Sequence, residues 1–474
     1  MRSGMATSRP KTPEKLEPPP EGVDRPDYVP AGHDLTSVTE KISGLVLTRP
    51  TGLGWLGFFG FSNVLVAVLL VAAGYLLFLG IGIWGLQVPN GWGCDITGFV
   101  WWIGIGHAGT LISAFLLLMH QKWRTSINRI AEAMTIFAVM CAGLFPLMHL
   151  GRPWFFYWLA PYPNTMSLWP QFRSALVWDV FAVSTYFTVS LLFWYMGMIP
   201  DLATLRDRSK GRLAQIAYGM LALGWRNSAR HWHRFEMAYL LLGGLATPLV
   251  ISVHSVVSAD FAVSVMPAWH ETVFPPYFVA GAIFSGFAMV LLLCVPIRHF
   301  YHLKEFITID HLDVMAKLVL ATSLITSYGY LSEQTLSWYA GNKVEAYTYW
   351  FRLSGFGQYA YITWLLFFCN TLAPQVLWFR KLRRKESVLV VVSLLVLVGM
   401  YLERYMIITT SLSRDYLPSS WGFFKPTIWD VLTYVGSIGV FLVAFLLFAR
   451  FAPIVAMSET RALLPDSHGP EVGR

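Results

Sequence analysis

Apolar runs recur along the whole of this chain, separated by short polar or aromatic-rich crossings. Each run is long enough to cross the hydrocarbon core of a bilayer as a helix. About ten can be counted on the length criterion, over residues 55–84, 96–120, 128–150, 174–200, 235–262, 277–299, 312–338, 350–379, 387–412 and 427–454. The pattern predicts an all-α membrane protein. A different spacing occupies the long crossing after the fourth run, where Leu213, Ile216, Met220 and Leu221 lie between arginines. That spacing suits a helix lying in the membrane interface, and an ordinary basic loop accounts for it equally well.

Composition sharpens the class. With 55% hydrophobic and only 13% charged residues, a soluble domain is excluded. Residues 1–50 are polar and proline-rich (Pro18, Pro19, Pro20), which predicts a disordered tail rather than a signal peptide. Residues 51–455 form the membrane domain and 456–474 a second tail. The net charge of +8 reads as a topology signal. Lys122, Arg124 and Arg129 fall in the second-to-third crossing, seven arginines and lysines from Arg206 to Arg234 in the fourth-to-fifth, and Arg380, Lys381, Arg383, Arg384 and Lys385 in the eighth-to-ninth. The intervening crossings are poor in both, so the expectation is that both termini face the cytoplasm. The four cysteines are scattered with no CxxC, which excludes the usual ligation of an iron–sulfur cluster, a zinc ribbon and a CxxCH haem attachment.

Ionisable groups in membrane helices are costly and usually functional. With this orientation, many gather toward the outer side. His149 ends the third helix, with Arg152 just beyond, and Asp179 opens the fourth. His254 and Asp260 end the fifth. Tyr328, Tyr330 and Glu333 lie late in the seventh, and Glu403 and Arg404 within the ninth. Quinol oxidation needs such a pocket. Two protons leave with two electrons, so the site requires a histidine and a partly buried carboxylate as acceptors, an arginine able to bond a quinone oxygen, and apolar walls. Each residue also has a plainer role open to it: a helix end, a snorkelling arginine, a structural ion pair or an interfacial tyrosine.

Two other constellations compete. His107 and His120 share the second helix at a spacing suited to two haems, but the fifth offers only His254 as a partner, which leaves at most a single haem between His107 and His254. His107 is expected instead to bond a neighbouring helix near Thr110. His107, Thr110, Glu132, His254, Glu333 and Asp430 are spread across depth, as stations of a proton route or ordinary interhelical hydrogen bonds would be. A transporter without quinone chemistry would use Glu132, Asp260 and Asp430. The fifth and ninth helices end alike, Ser258-Ala-Asp260 and Ser413-Arg-Asp415, suggesting that helices 2–5 and 6–9 are two related four-helix bundles with a peripheral helix at each end.

Four segments taken together carry a family resemblance: Gly104-Ile-Gly-His107-Ala-Gly-Thr110-Leu-Ile-Ser113, Met148-His149-Leu-Gly-Arg152-Pro-Trp154, Trp178-Asp179, and Ser252-Val-His254-Ser255-Val-Val-Ser258-Ala-Asp260. They resemble the NrfD/polysulfide-reductase membrane-anchor family, and within it the branch found in alternative complex III. The resemblance covers residues 55–454. It implies two four-helix bundles, a quinol or menaquinol substrate, and no cofactor or metal held by this chain. It also implies a docked iron–sulfur subunit as electron acceptor, c-type cytochrome subunits, a second NrfD-like membrane subunit, and residence in the inner membrane with coupling to proton translocation. Carried over, His149 and Asp179 would be the catalytic pair, and Arg152, Asp260, Tyr330 and Arg404 would complete the quinol pocket.

Overall fold

A computed structural model describes residues 28, 33–159, 171–354 and 359–464. Among them no strand occurs. In chain order the helices used below are α1 (Leu35–Leu47), α2 (Leu53–Leu79), α3 (Cys94–Leu118), α4 (Asn128–His149), α5 (Ala175–Arg208), α6 (Arg212–Leu221), α7 (Ala229–Ala262), α8 (Phe274–Phe300), α9 (Ile309–Tyr339), α10 (Lys343–Leu353), α11 (Ala360–Trp378), α12 (Glu386–Ser413), α13 (Ile428–Phe451) and α14 (Met457–Ala462). Ten of these are long and apolar enough to span a membrane, all but α1, α6, α10 and α14.

The buried spans α3, α4 and α8 are central, and α2 lies outside against α13. Helix α3 packs on α4, α4 on α5, α5 on α7 and α7 back on α3. Helix α8 packs on α9 and α12, and α11 touches both α9 and α12. The two groups meet along α3 and α8. Gly286 makes that joint: a Cβ there would stand 2.4 Å from the Ala108 Cβ and 2.9 Å from the Ile105 carbonyl oxygen. Small residues at such crossings let two backbones approach and gain dispersion contacts.

Three expectations change. The eighth span does not run over 350–379. Asn342 accepts hydrogen bonds from the Val344 and Glu345 amides and starts the separate helix α10, which ends at Leu353, and the span itself is α11. Ser354, with extended backbone, closes α10. The tail expected over 1–50 contains α1, capped by Asp34 and Ser37, with Val38 and Ile42 wholly buried. Residues 1–27 and 29–32 of that tail lie outside the described residues, as do 465–474. At the other end Val455, Ala456 and Met457 are fully buried, so residues 454–464 belong to the packed fold and not to a tail. Asp201 on α5 accepts from the Met457 and Ser458 amides, each at 3.0 Å, and so supplies the cap of α14 from a distant part of the chain. The segment read either as an interfacial helix or as a loop is helical, as α6.

Candidate functional site

Successive spans alternate in direction, so α3, α5, α8 and α13 begin where α4, α7, α9 and α12 end. That shared end holds Asp95, His149, Asp179, Asp260, Glu333, Glu403 and Arg404, and the basic crossings emerge at the other. His149, the last residue of α4, contacts through Nδ1 the Oδ2 of Asp95 in the first turn of α3. The other carboxylate oxygen of Asp95 accepts the Gly93 amide at 3.0 Å. Where Asp95 acts as an acceptor only, His149 donates to it from Nδ1 and turns Nε2 away as the free nitrogen. Asp95 is buried and His149 about a quarter exposed. Sequence reading missed Asp95, although an acid opening a membrane helix right after Cys94 was the available signal.

The carboxyl groups of Asp179, near the start of α5, and Asp260, near the end of α7, are electrostatic neighbours. Two carboxylates at such range share one proton more readily than they carry two charges. The helices bearing Asp95, His149, Asp179 and Asp260 are α3, α4, α5 and α7, each packed on the next in a ring. Arg152 is exposed, followed by a turn, Pro153–Leu159, with Trp154, Phe155, Phe156, Tyr157 and Trp158 all exposed.

Tyr330 and Arg404 fall in the second group of helices. Tyr330 donates to Glu403 and accepts from Asn370 Nδ2 at 2.7 Å. Glu403 pairs with Arg404 at 2.7 Å, and the Arg404 guanidinium lies 4.0 Å from the Phe278 ring centroid. Next to them Glu333 accepts from Tyr349 (2.5 Å) and Arg352 (3.3 Å), and Arg352 reaches Thr410 and Ser411. Tyr330, Glu333, Glu403 and Arg352 line a cavity of about 50 Å³. That volume holds a few waters, whereas organic ligand pockets run to several hundred Å³. Tyr349 and Ser337 also bond Glu271, each at 3.0 Å, in the α7–α8 crossing. Burial, with Glu333 close by, pushes Glu271 up to about 7. Sequence reading gave no role to Glu271, Tyr349 or Arg352.

Between the two groups the His107 and His254 rings meet edge to face at 4.4 Å. At that contact the two rings touch each other directly. His107 bonds the Ile103 carbonyl of its own helix at 2.7 Å, with the Val250 backbone of α7 also beside it, while Thr110 bonds Tyr186 at 2.8 Å. Both ring nitrogens of His254 are buried without a hydrogen-bond partner among the described residues.

The remaining proton-route candidates separate. Asp430 takes the Thr427 and Gly85 amides at 2.8 and 2.9 Å and caps α13. Glu132 lies at the basic end, bonded by Tyr239 (3.3 Å), which also reaches Glu459 of α14 (3.2 Å). Glu459 is held there by Arg124 at 2.6 Å, and Arg129 pairs with Asp201 at 3.2 Å. No cluster of three or more His, Cys, Asp or Glu suited to a metal occurs among the described residues, and the four cysteines are buried and unpaired.

Ten apolar spans with paired acids and a histidine gathered at one end define a multi-pass integral membrane protein with an intramembrane polar site. The chain belongs to the family described as polysulphide reductase, NrfD, whose profile matches residues 84–414, from just before α3 to the end of α12. Helices α2 and α13 flank that core. The chain is 26% identical, over 52% of its length and 51% of the relative's, to a putative dimethyl sulfoxide reductase membrane subunit of Halobacterium salinarum. It is 25% identical, over 43% and 48%, to a selenate reductase subunit of Mesobacillus selenatarsenatis. It is 22% identical, over 49% of each, to the Hdr-like menaquinol oxidoreductase integral membrane subunit of Archaeoglobus fulgidus. The chain spans about half the length of the curated relatives it matches.

Proposed function

We propose that this chain is the quinol-binding membrane subunit of a quinol:electron-acceptor oxidoreductase of the alternative complex III kind, resident in the inner membrane. The reading rests on one observation above all. Two proton-accepting pairs, His149–Asp95 and Asp179–Asp260, stand on four neighbouring helices at a single end. The relatives' names, which include two reductase subunits and a menaquinol oxidoreductase subunit, support the same class. By the distribution of lysine and arginine, that end faces outward.

In this reading a quinol binds with one hydroxyl toward His149 Nε2 and the other toward the Asp179–Asp260 pair. Both O–H bonds break: one proton goes to the imidazole and the other to the carboxylate pair. Two electrons leave one at a time to an iron–sulfur partner docked at the outer end, and onward to c-type cytochrome subunits. Asp95 fixes the imidazole tautomer and orientation. Arg152 and the exposed aromatic turn after it lie where such a partner would dock. The chain brings no redox centre of its own and works only in the assembled complex, alongside a second NrfD-like membrane subunit.

A second activity, proton translocation, is favoured by the water-sized cavity and by the buried, unpartnered imidazole of His254. Tyr330, Glu333 and Arg404 then serve proton movement rather than ring binding. Turnover of the assembled complex tests the first reading. With every partner protein still present in the purified complex, His149→Ala and Asp179→Asn each lower quinol oxidation about a hundredfold, the scale of a lost general base. Near-normal turnover in both would sink it.

A further inference from the structure

Helices α11 and α12 touch at one level and part at another. At Gly399 of α12 a Cβ would stand 2.1 Å from Asn370 Oδ1 and 2.6 Å from the Cys369 Cβ, so the missing side chain lets the two helices meet. At that contact α11 is already irregular. A π turn over Phe368–Leu372 runs into a 3-10 stretch over Ala373–Trp378 that contains Pro374. The changed winding and the proline carry the chain away from α12. A crevice of about 340 Å³ is left between Ala373 and Val376 on one side and Val388, Val391, Val392 and Leu395 on the other.

The mouth of this apolar crevice is strongly cationic. Among the five cations from Arg380 to Lys385, Arg383 pairs with Asp313 (2.7 Å) and Arg384 with Asp310 (2.6 Å). Glu386 is held by Arg298 and His299. The acids Asp310, Asp313 and Glu386 are therefore already engaged, whereas Arg380, Lys381 and Lys385 are exposed. Trp378 and Phe379, 60% and 65% exposed, are the residue types that settle at headgroup level.

We infer that the crevice is a binding site for an anionic phospholipid. One acyl chain lies between α11 and α12, and the phosphate sits on Arg380, Lys381 and Lys385. Charge selects the occupant: a zwitterionic lipid fits the crevice but gains little from three cations. Each surface cation favours an anionic headgroup about fivefold, on the order of a hundredfold for three, and about tenfold once salt screens them.

Native mass spectrometry of the full-length chain, titrated with dioleoyl phosphatidylglycerol or dioleoyl phosphatidylcholine, tests this. The expected result is about tenfold tighter retention of phosphatidylglycerol. The triple variant Arg380→Gln, Lys381→Gln, Lys385→Gln should lose that preference while still retaining lipid. Ala373→Phe, which fills the crevice, should lose retention of both. Lys381→Glu alone, a surface change that leaves packing untouched, should lower the preference about fivefold or more and covers the case in which Ala373→Phe misfolds. Equal retention of the two lipids by the wild type, or an unchanged preference in the triple variant, overturns the proposal. So does displacement of the lipid by a long-tailed quinone at equal concentration, which would make the occupant an isoprenoid chain.

Discussion

Asp95→Asn is a nearly isosteric change whose outcome follows from two hydrogen bonds. Oδ1 of Asp95 accepts the Gly93 amide and Oδ2 meets His149 Nδ1. An asparagine has one oxygen to offer. Turned with its NH2 toward Gly93, it sets donor against donor at a buried site and costs about 1–3 kcal/mol. The amide oxygen therefore stays on Gly93 and the NH2 faces His149. Nδ1 must then accept, which moves the ring proton to Nε2 and removes the base that faces the substrate. The site loses one of its two proton acceptors without losing volume or shape. The expected loss is about a hundredfold in turnover, or about 2.7 kcal/mol of barrier, with KM nearly unchanged. The assay is steady-state oxidation of a short-tailed quinol by the assembled complex, with binding of a quinone analogue measured in parallel. If Asp95→Asn turns over within about twofold of wild type while His149→Ala is impaired on the scale of a lost base, the tautomer argument is wrong. His149 would then act without Asp95.

Two further outcomes are expected. Asp179→Asn and Asp260→Asn each lower turnover about a hundredfold, and the double variant loses little more, because groups acting as one proton-holding unit are not additive; a multiplicative loss would mean independent roles. Glu271 is pushed up from 4.5 to about 7, so the folded chain keeps a proton there over a range where the unfolded chain has released it. Its charged form opposes folding, and stability falls as pH rises from about 4.5 through about 7, by at most about 3 kcal/mol. Infrared titration should show a protonated carboxyl band that disappears near pH 7 and is missing in Glu271→Gln, and that variant should lose this pH dependence of melting. A band already absent at pH 5 would refute the assignment.

The spans were legible because bilayer thickness imposes a length that apolar runs report directly. Residues 350–379 misled because an aromatic, weakly polar stretch satisfies the same length test; the Asn342 cap was a local signal left unread, while the anchoring of Arg352 on Glu333 acts through three dimensions. The site was legible where one residue is costly in itself, as with His149, Asp179 and Asp260. It was hidden where the meaning lies in a partner: Asp95 looks like a helix-opening acid until His149 is beside it. Asp430, which looks like a relay, satisfies the α13 cap instead. Glu271 sits in a crossing and gains its character only from burial beside Glu333. Sequence also did not say that the space Tyr330 lines beside Glu403 is water-sized.

The seating of α14 bears on how this protein is made. The Asp201 carboxylate, in the last turns of α5, takes up the Met457 amide 256 residues later in the chain. Ribosomes add about 5–20 residues per second, so on the order of ten to fifty seconds pass between the emergence of one partner and the other. Until then Arg124 lacks Glu459, and α5 leaves the insertion machinery with its capping carboxylate still waiting for the amides of α14. Helices that enter the membrane early are thus completed late, and the nascent chain is left unsatisfied at that end until α14 is translated.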